Sequence, residues 1–531
     1  MTEPPSPHPV GPPPPLPRPV PMGPATALPP PAPVGPVTAI AVPAVETPLG
    51  RFWAGYRAPA SVAQLVTVAV VGLVGAVLLV GHRPGLGLAL VGAVVWAPAV
   101  PGLVRRRAFG DLAVVVVSVA LLGVVALRDA GWLVALCVVV AAVAGTAAAT
   151  SSTSTASLLL SGPTWAAGLV RSLPWVTRTI AYGAGSRRGQ ALVVLRSVAI
   201  TVGLLLVFGM LFASADQVFA SYLPSFSVDL LPAQVVVGVM VAAVAASLAH
   251  LSIAPPTWTA LRPGPGRAAR RGEWLAPIVA LDALVIGFVL VQLGALVGGH
   301  AYVQATAGLG YAEYAREGFA QLVVATALTL VVVGVAARYA PRTTARDHLV
   351  TRAALGVLCL GTLGVVASAL RRMDLYMDAF GLTRLRLFVV VVEVVLAAVL
   401  VLVMVAGLRR ATQERPLPAP WLPRAVLLTV AAGMLGLVGV NPDALILRHN
   451  TSARLEVPLD VAYLQGLSAD AVPAADGLDE PLRSCVLGAL PVAAPHGAGD
   501  WNLARALAAR TLDDAAPVEA DPEGCWSSSR W

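Results

Sequence analysis

The chain has 531 residues, of which 57% are hydrophobic and only 12% charged, with a mean hydropathy of +0.79. A soluble domain carries about twice that charged fraction, so a water-soluble globular fold is excluded. The formal charge of +8 rests on arginine alone, because the sequence contains no lysine, and arginines set between apolar runs meet anionic lipid heads; the bilayer is the expected partner, and nucleic acid is not.

In chain order, residues 1–57 open as MTEPPSPHPVGPPPPLPRPVPMGPATALPPPAPVGPV, without the basic start, uninterrupted apolar core or cleavage site of a signal peptide. Proline at this density removes backbone donors and favours extended polyproline II. A disordered cytoplasmic leader is expected, most simply a tether. Between 58 and 440 come eleven apolar runs, at 62–81, 86–103, 112–127, 132–149, 193–213, 233–254, 275–297, 320–337, 349–370, 387–408 and 424–440. Most approach the ~20 residues that cross ~30 Å of hydrocarbon. They predict an all-α fold, a polytopic transmembrane helical bundle with about eleven spans. Residues 156–170 could dip into the membrane, but Pro163 and several small polar neighbours weaken them as a span.

Arginine segregation orients the spans. With the N-terminus inside, the inner gaps hold Arg105, Arg106 and Arg107; Arg171, Arg178, Arg187 and Arg188; Arg262, Arg267, Arg270 and Arg271; Arg338, Arg342 and Arg346; and Arg409, Arg410 and Arg415. The outer gaps hold Arg83, Arg128 and Arg316 singly, and the gap 214–232 holds none. One outer gap, 371–386, breaks the pattern with Arg371, Arg372, Arg384 and Arg386; either the count errs there or those charges are kept outside for a use. The odd span number puts residues 441–531 outside a bacterial cytoplasmic (inner) membrane, as a small extracytoplasmic helical tail. Leu459, Tyr463, Leu464 and Leu467 recur there at helical spacing, and Leu503, Leu507 and Leu512 do so less regularly. Cys137 and Cys359 fall inside spans, whereas Cys485 and Cys525 fall in the tail, where an oxidising exterior permits a disulfide.

No zinc-ligand spacing, glycine-rich phosphate loop, Gly-x-Ser-x-Gly elbow or His-Glu-x-x-His occurs, so no metal and no cofactor is expected. Within the spans the informative residues are Asp282 and Glu393, because a carboxylate in hydrocarbon costs several kcal/mol unless it faces protein, water or a partner. Gln292 is a further polar step on the helix of Asp282. Asp282 and Glu393 are expected either as separate helix–helix hydrogen-bonding groups or, with Gln292, as stations of a proton or solute path.

A denser cluster lies at the outer boundary. In RRMDLYMDAFGLTRLRLF, Arg371, Asp374 and Asp378 share one face of a helical extension that also carries Arg372 and Tyr376. Gly381 can end that helix at positive φ and Thr383 can cap the next, which leaves Arg384 and Arg386 in a first turn where the macrodipole disfavours cations. Either a bound anion or ion pairs with Asp374, Asp378 or the tail would compensate. YAEYAREGF adds Glu313 and Arg316 among interfacial aromatics, NPDALILRHN adds Asn441, Asp443, Arg448 and Asn450, and the arginine-free gap adds Asp216 and Tyr222. Together they predict a polar outer rim.

The strings SADQVFASYLP, GLGYAEYAREGFAQL, RRMDLYMDAFGLTRLRLF, NPDALILRHN and LDVAYLQGLSADAVPA resemble the signatures of a bacterial, especially actinobacterial, family of multi-pass membrane proteins catalogued as a domain of unknown function. The likeness covers about 190–475, with the leader and first four spans less characteristic. It implies an integral inner-membrane protein and carries no chemistry. Three readings stand: transport of a small envelope-related molecule, a membrane sensor or assembly scaffold with membrane-protein partners, and a transferase or hydrolase acting on an outer-leaflet lipid-linked substrate. Transport predicts a polar cavity reaching Asp282 or Glu393. Enzyme action predicts Asp216, Asp374 or Asp378 exposed in a groove beside the arginines, and scaffolding predicts these charges paired with one another.

Overall fold

The computed structural model describes residues 48–53, 60–186, scattered positions between 197 and 216, and 230–261, 270–307, 319–340, 344–409, 419–453 and 455–514. Among the described residues all regular structure is helical. Hydrocarbon offers no partner for a free N–H or C=O, so a spanning chain must close its hydrogen bonds within each segment, and the helix does this. Nine described helices contain stretches long and apolar enough to cross a membrane. The protein is therefore a polytopic membrane helical bundle.

The helices in order are α1 (Pro48–Phe52), α2 (Val62–Leu79), α3 (Leu86–Val94), α4 (Val100–Arg105), α5 (Phe109–Gly123), α6 (Gly131–Ala149), α7 (Thr155–Leu159) and α8 (Ser161–Ser186). The long helices α9 (Leu231–Ile253), α10 (Arg271–Ala307), α11 (Phe319–Tyr339), α12 (Ala345–Phe380), α13 (Arg384–Arg409) and α14 (Leu422–Val440) follow. A cap of short helices ends the described chain: α15 (Pro442–Ser452), α16 (Val461–Gln465), α17 (Val472–Ala475), α18 (Leu482–Leu487) and α19 (Leu503–Asp514).

Two expected spans depart from expectation or cannot be followed. The run 86–103 is not one long helix but α3 and α4, joined through 95–99 by tight turns in which Ala97 N–H donates to Val94 O (2.9 Å) and Ala99 N–H to Trp96 O (2.9 Å). Pro98 supplies no donor there, which explains the break. The pair still runs end to end. Leu86 N–H bonds Trp501 O of the cap at 2.8 Å, and Arg106, just past α4, bonds Ser151 Oγ at the opposite end of the bundle at 3.3 Å. The run 193–213 lies largely outside the described residues. The stretch 156–170 forms α7 and the first part of α8, which lie among the ends of α2, α6 and α9.

The bundle has two chemically different ends. At one, α5, α6 and α14 meet in a polar knot: Asp111 accepts from Ser151 Oγ (2.8 Å) and is ion-paired with Arg424, and Trp258 Nε1–H donates to Thr150 O (2.8 Å). Arg409 lies over the Trp421 ring at this end, 5.4 Å away. At the other end sits the cap. Between them the helices pack through small residues, as lipid-solvated bundles do. At Gly72 of α2 an added Cβ would stand 2.8 Å from Gly238 O and 2.9 Å from Ala242 Cβ of α9.

The cap has its own core, with Ile446, Leu447, Leu464, Leu467, Val472 and Val486 buried together. Of the helical spacings expected in the tail, Leu464 and Leu467 point inward, but α19 turns Ala504, Arg505 and Ala508 inward and leaves Leu503 and Leu507 exposed. Arg505 forces that rotation, because its guanidinium must reach Pro84 O (2.6 Å) and Asp500 O (3.0 Å). Cys485 is disulfide-bonded and Cys137 and Cys359 are free and buried; Cys525 lies outside the described residues.

Gly381 ends α12 at φ +75° and ψ 175°, a region closed to side chains, and an added Cβ would meet Asn450 Oδ1 at 2.7 Å. Gly381→Ala is expected to destabilise by roughly 1–3 kcal/mol, read as a lower thermal midpoint in detergent. Gly287→Ala in α10, where nothing lies within 4 Å of the new methyl, should be neutral or slightly stabilising.

Candidate functional site

The corner between α12 and α13 organises the cap–bundle junction. Gly381 ends α12, and Thr383 Oγ1 accepts from Arg386 N–H at 3.3 Å, which caps α13. Arg384, first residue of α13, forks onto Asp443 of α15 through Nε–Oδ1 (2.9 Å) and Nη2–Oδ2 (2.6 Å). Its backbone N–H donates to Tyr463 Oη at 2.8 Å. Asp443 is fully buried and also accepts from Ser468 N–H at 2.9 Å. Burial alone would raise the pKa of its carboxyl; hydrogen bonds from Arg384 and Ser468 outweigh that and hold it below the ordinary aspartate range.

The macrodipole problem posed by two arginines in a first turn is thus answered by protein groups. Arg384 has a carboxylate. Arg386 turns back over the end of the preceding helix, donating to Phe380 O (2.9 Å) and to Gly381 O, carbonyls that α12 leaves unpaired at its C-terminus. Its guanidinium also stacks 4.1 Å over Tyr376. Asn450 locks the corner by accepting from Leu382 N–H (2.7 Å) and donating to Leu382 O (3.0 Å).

Asn441 takes a left-handed conformation (φ 53°) between α14 and α15, with its side-chain oxygen accepting from Ala444 N–H at 3.4 Å and its amide donating to Asp470 O at 3.1 Å. Tyr376, Arg384, Arg386, Asn441, Asp443 and Asn450 therefore gather in one junction. Arg371 and Asp374 pair with each other at 2.7 Å, each about half exposed. Asp378, Arg448 and Asp216 are exposed. Glu313, Arg316 and Tyr222 lie outside the described residues.

Below the rim, Gln292 Oε1 of α10 accepts from Ser368 Oγ (3.1 Å) and from Arg372 Nη2 (3.0 Å) of α12. Asp282 of the same helix is buried, yet its Oδ1 has no hydrogen-bond partner among the described residues, and Glu393 is fully buried in α13 with neither carboxylate oxygen bonded among the described residues.

Sequence reasoning missed the second half of the junction. Asp470 Oδ2 accepts from Asp129 N–H (2.7 Å) and Ala130 N–H (2.9 Å) at the start of α6, where its charge also meets the positive end of that helix. Arg128 joins it at 3.3 Å and bonds Val438 O at 3.0 Å. Asn502 donates to Val125 O and Arg128 O, both at 2.9 Å. The available signal was weak: a single arginine in an otherwise poor outer gap, whose partner Asp470 is 342 residues away.

Breaking a buried pair strands the remaining charge, at a cost of about 3–5 kcal/mol, whereas an exposed pair contributes about 0–1 kcal/mol. Arg384 retains some exposure, so Arg384→Ala should fall toward the lower end of the first range and Arg371→Ala within the second; thermal unfolding in detergent distinguishes them, and equal, small shifts would remove the claim. The pH dependence has a definite sign. With the folded pKa of Asp443 below the ordinary value of 3.8, its stabilising contribution is complete above that value and is lost as pH falls through the folded value. Asp443→Asn should therefore lower stability at neutral pH and remove this part of the acid-induced loss seen in the parent protein.

The chain has no match among curated proteins or solved structures. Residues 116–478 match a family model described as Domain of unknown function (DUF4153). The match begins earlier than the strings that carry the sequence resemblance and takes in α6 and most of α5, as well as the corner, the Asn441 turn and the Asp470 loop. With its multi-pass helical architecture and most of its length inside that match, the chain belongs to the DUF4153 family.

Proposed function

We propose that this protein is a sensing or assembly scaffold of a bacterial cytoplasmic membrane, in which the bundle holds the cap outside as a fixed docking platform. The observation behind this reading is the Arg384–Asp443 pair, in which guanidinium and carboxylate bind each other in a bidentate fork. A substrate site needs convergent polar groups left available to the ligand, and this pair holds cap to bundle instead. Asp378, Arg448 and the Arg371–Asp374 pair remain at the surface for a membrane-protein partner. Arginine segregation supports a cytoplasmic leader and knot with an exported cap, and the bonded state of Cys485 fits an oxidising compartment. Photocrosslinkers at Asp378 and Arg448 in intact membranes are expected to give discrete adducts with another chain, and their absence at both positions would count against the platform. Non-reducing mass mapping should recover Cys485 joined to Cys525; two free thiols there would remove the support for an oxidising compartment.

Glu393 favours a second reading. A carboxyl enclosed in a span without a hydrogen-bond partner among the described residues is costly to maintain, and a proton-coupled solute path would use it. Reconstituted protein that moves protons or solute, with at least a tenfold loss in Glu393→Gln, would replace the scaffold by a transporter. A lipid-linked transferase or hydrolase draws less support, since Asp374 is already tied to Arg371.

A further inference from the structure

Helix α8 has inverted polarity. Its inward face carries Ser161, Thr164, Gly168, Ser172, Trp175 and Thr179, all buried, while Pro163, Ala166, Ala167, Val170, Leu173 and Pro174 are exposed. The exposed positions recur every three or four residues, one stripe of a helix. The stripe is continued backward by Leu159 and Leu160.

The inward hydroxyls are satisfied close by. Ser172 Oγ donates to Leu169 O at 2.7 Å, and Thr179 Oγ1 donates to Trp175 O at 2.9 Å while accepting from Ala60 N–H at 2.7 Å. Gly168 lets the helix close on Leu251 of α9, where a Cβ would meet Cδ1 at 2.9 Å. Small polar residues therefore dock α8, and the apolar ones are left facing out.

Its position says what they face. Ser161 is bonded to Thr146 near the end of α6 (3.2 Å), and Thr179 to Ala60 just before α2. In between, Trp175 lies 5.5 Å from His250 near the end of α9. All three span ends belong to the arginine-rich end of the bundle, so α8 runs across that end rather than through the membrane. In water such a stripe would be an aggregation-prone patch; at the level of the lipid heads it continues the lipid-facing surface of the spans. The charge agrees. None of its 26 residues is acidic, and the exposed Arg171, held 4.7 Å over the Trp53 ring and 3.4 Å from Trp53 O, and exposed Arg178 border one edge of the stripe.

We propose that α8 is an in-plane anchor whose apolar stripe enters the acyl-chain boundary while Arg171 and Arg178 take the phosphates of anionic lipids. The test uses full-length protein with Cys137→Ala and Cys359→Ala, an environment-sensitive fluorophore on Val170→Cys or Leu173→Cys, and nanodiscs of phosphatidylcholine with or without phosphatidylglycerol. Strong quenching by shallow spin-labelled lipid with resistance to aqueous iodide is expected. Quenching by iodide would overturn the proposal, as would resistance to both quenchers, which would mean that another protein chain covers the stripe. With spin-labelled phosphatidylglycerol as the quencher, Arg171→Gln with Arg178→Gln should reduce local occupancy of that lipid by about fivefold per arginine; an unchanged response would overturn the headgroup assignment.

Discussion

An arginine in the first turn of a helix faces the positive end of the macrodipole, and at a membrane boundary it has less water to screen it. Helix α13 begins in this way because Asp443 meets Arg384 in a bidentate fork. That requirement propagates. Asp443 must sit one short turn beyond α14, so the chain reverses at Asn441 in a left-handed conformation, and α15 returns across the corner, where Asn450 holds Leu382 through both of its backbone groups. The cap follows from the pair as much as from its own apolar core.

A second anchor acts independently of the first. Asp470 binds the N–H groups that open α6, and Arg505 and Asn502 take carbonyls of the 84–86 and 124–130 turns. The cap is thus fastened at the starts of α3 and α6 and the end of α5 through backbone groups that would otherwise be unsatisfied at the ends of spans, and to α13 through the Arg384–Asp443 pair. Under the proposed scaffold reading, a cap fixed at several separated points would transmit a contact to the bundle without reorganising itself.

The two ends of the molecule use arginine differently. At the cap, Arg384, Arg386 and Arg505 are drawn into a fork and carbonyl contacts, while Arg371 and Arg448 stay at the surface. At the opposite end Arg424 is engaged by Asp111 in the knot, whereas Arg171 and Arg178 stay at the surface beside the apolar stripe of α8. In the proposed anchor, lipid heads take the cations for which α8 itself supplies no carboxylate. Asp443 and Asp470 stand at one end, while α8 contains no acidic residue.

By itself the sequence determined the helical membrane class, most of the spans, the Gly381 break, the Thr383 cap and the position of Arg384 in a first turn, because each depends on hydropathy or on residues a few positions apart. It also marked the 371–386 gap as needing compensation. Only the tertiary structure decided which of several carboxylates compensates Arg384, that Asp470 reaches Asp129 across 341 positions, and that α8 points its hydroxyls inward. The physical reason is common to all three: local backbone geometry and solvent preference are written in short windows, whereas partner choice depends on which surfaces the packed helices bring within hydrogen-bonding distance.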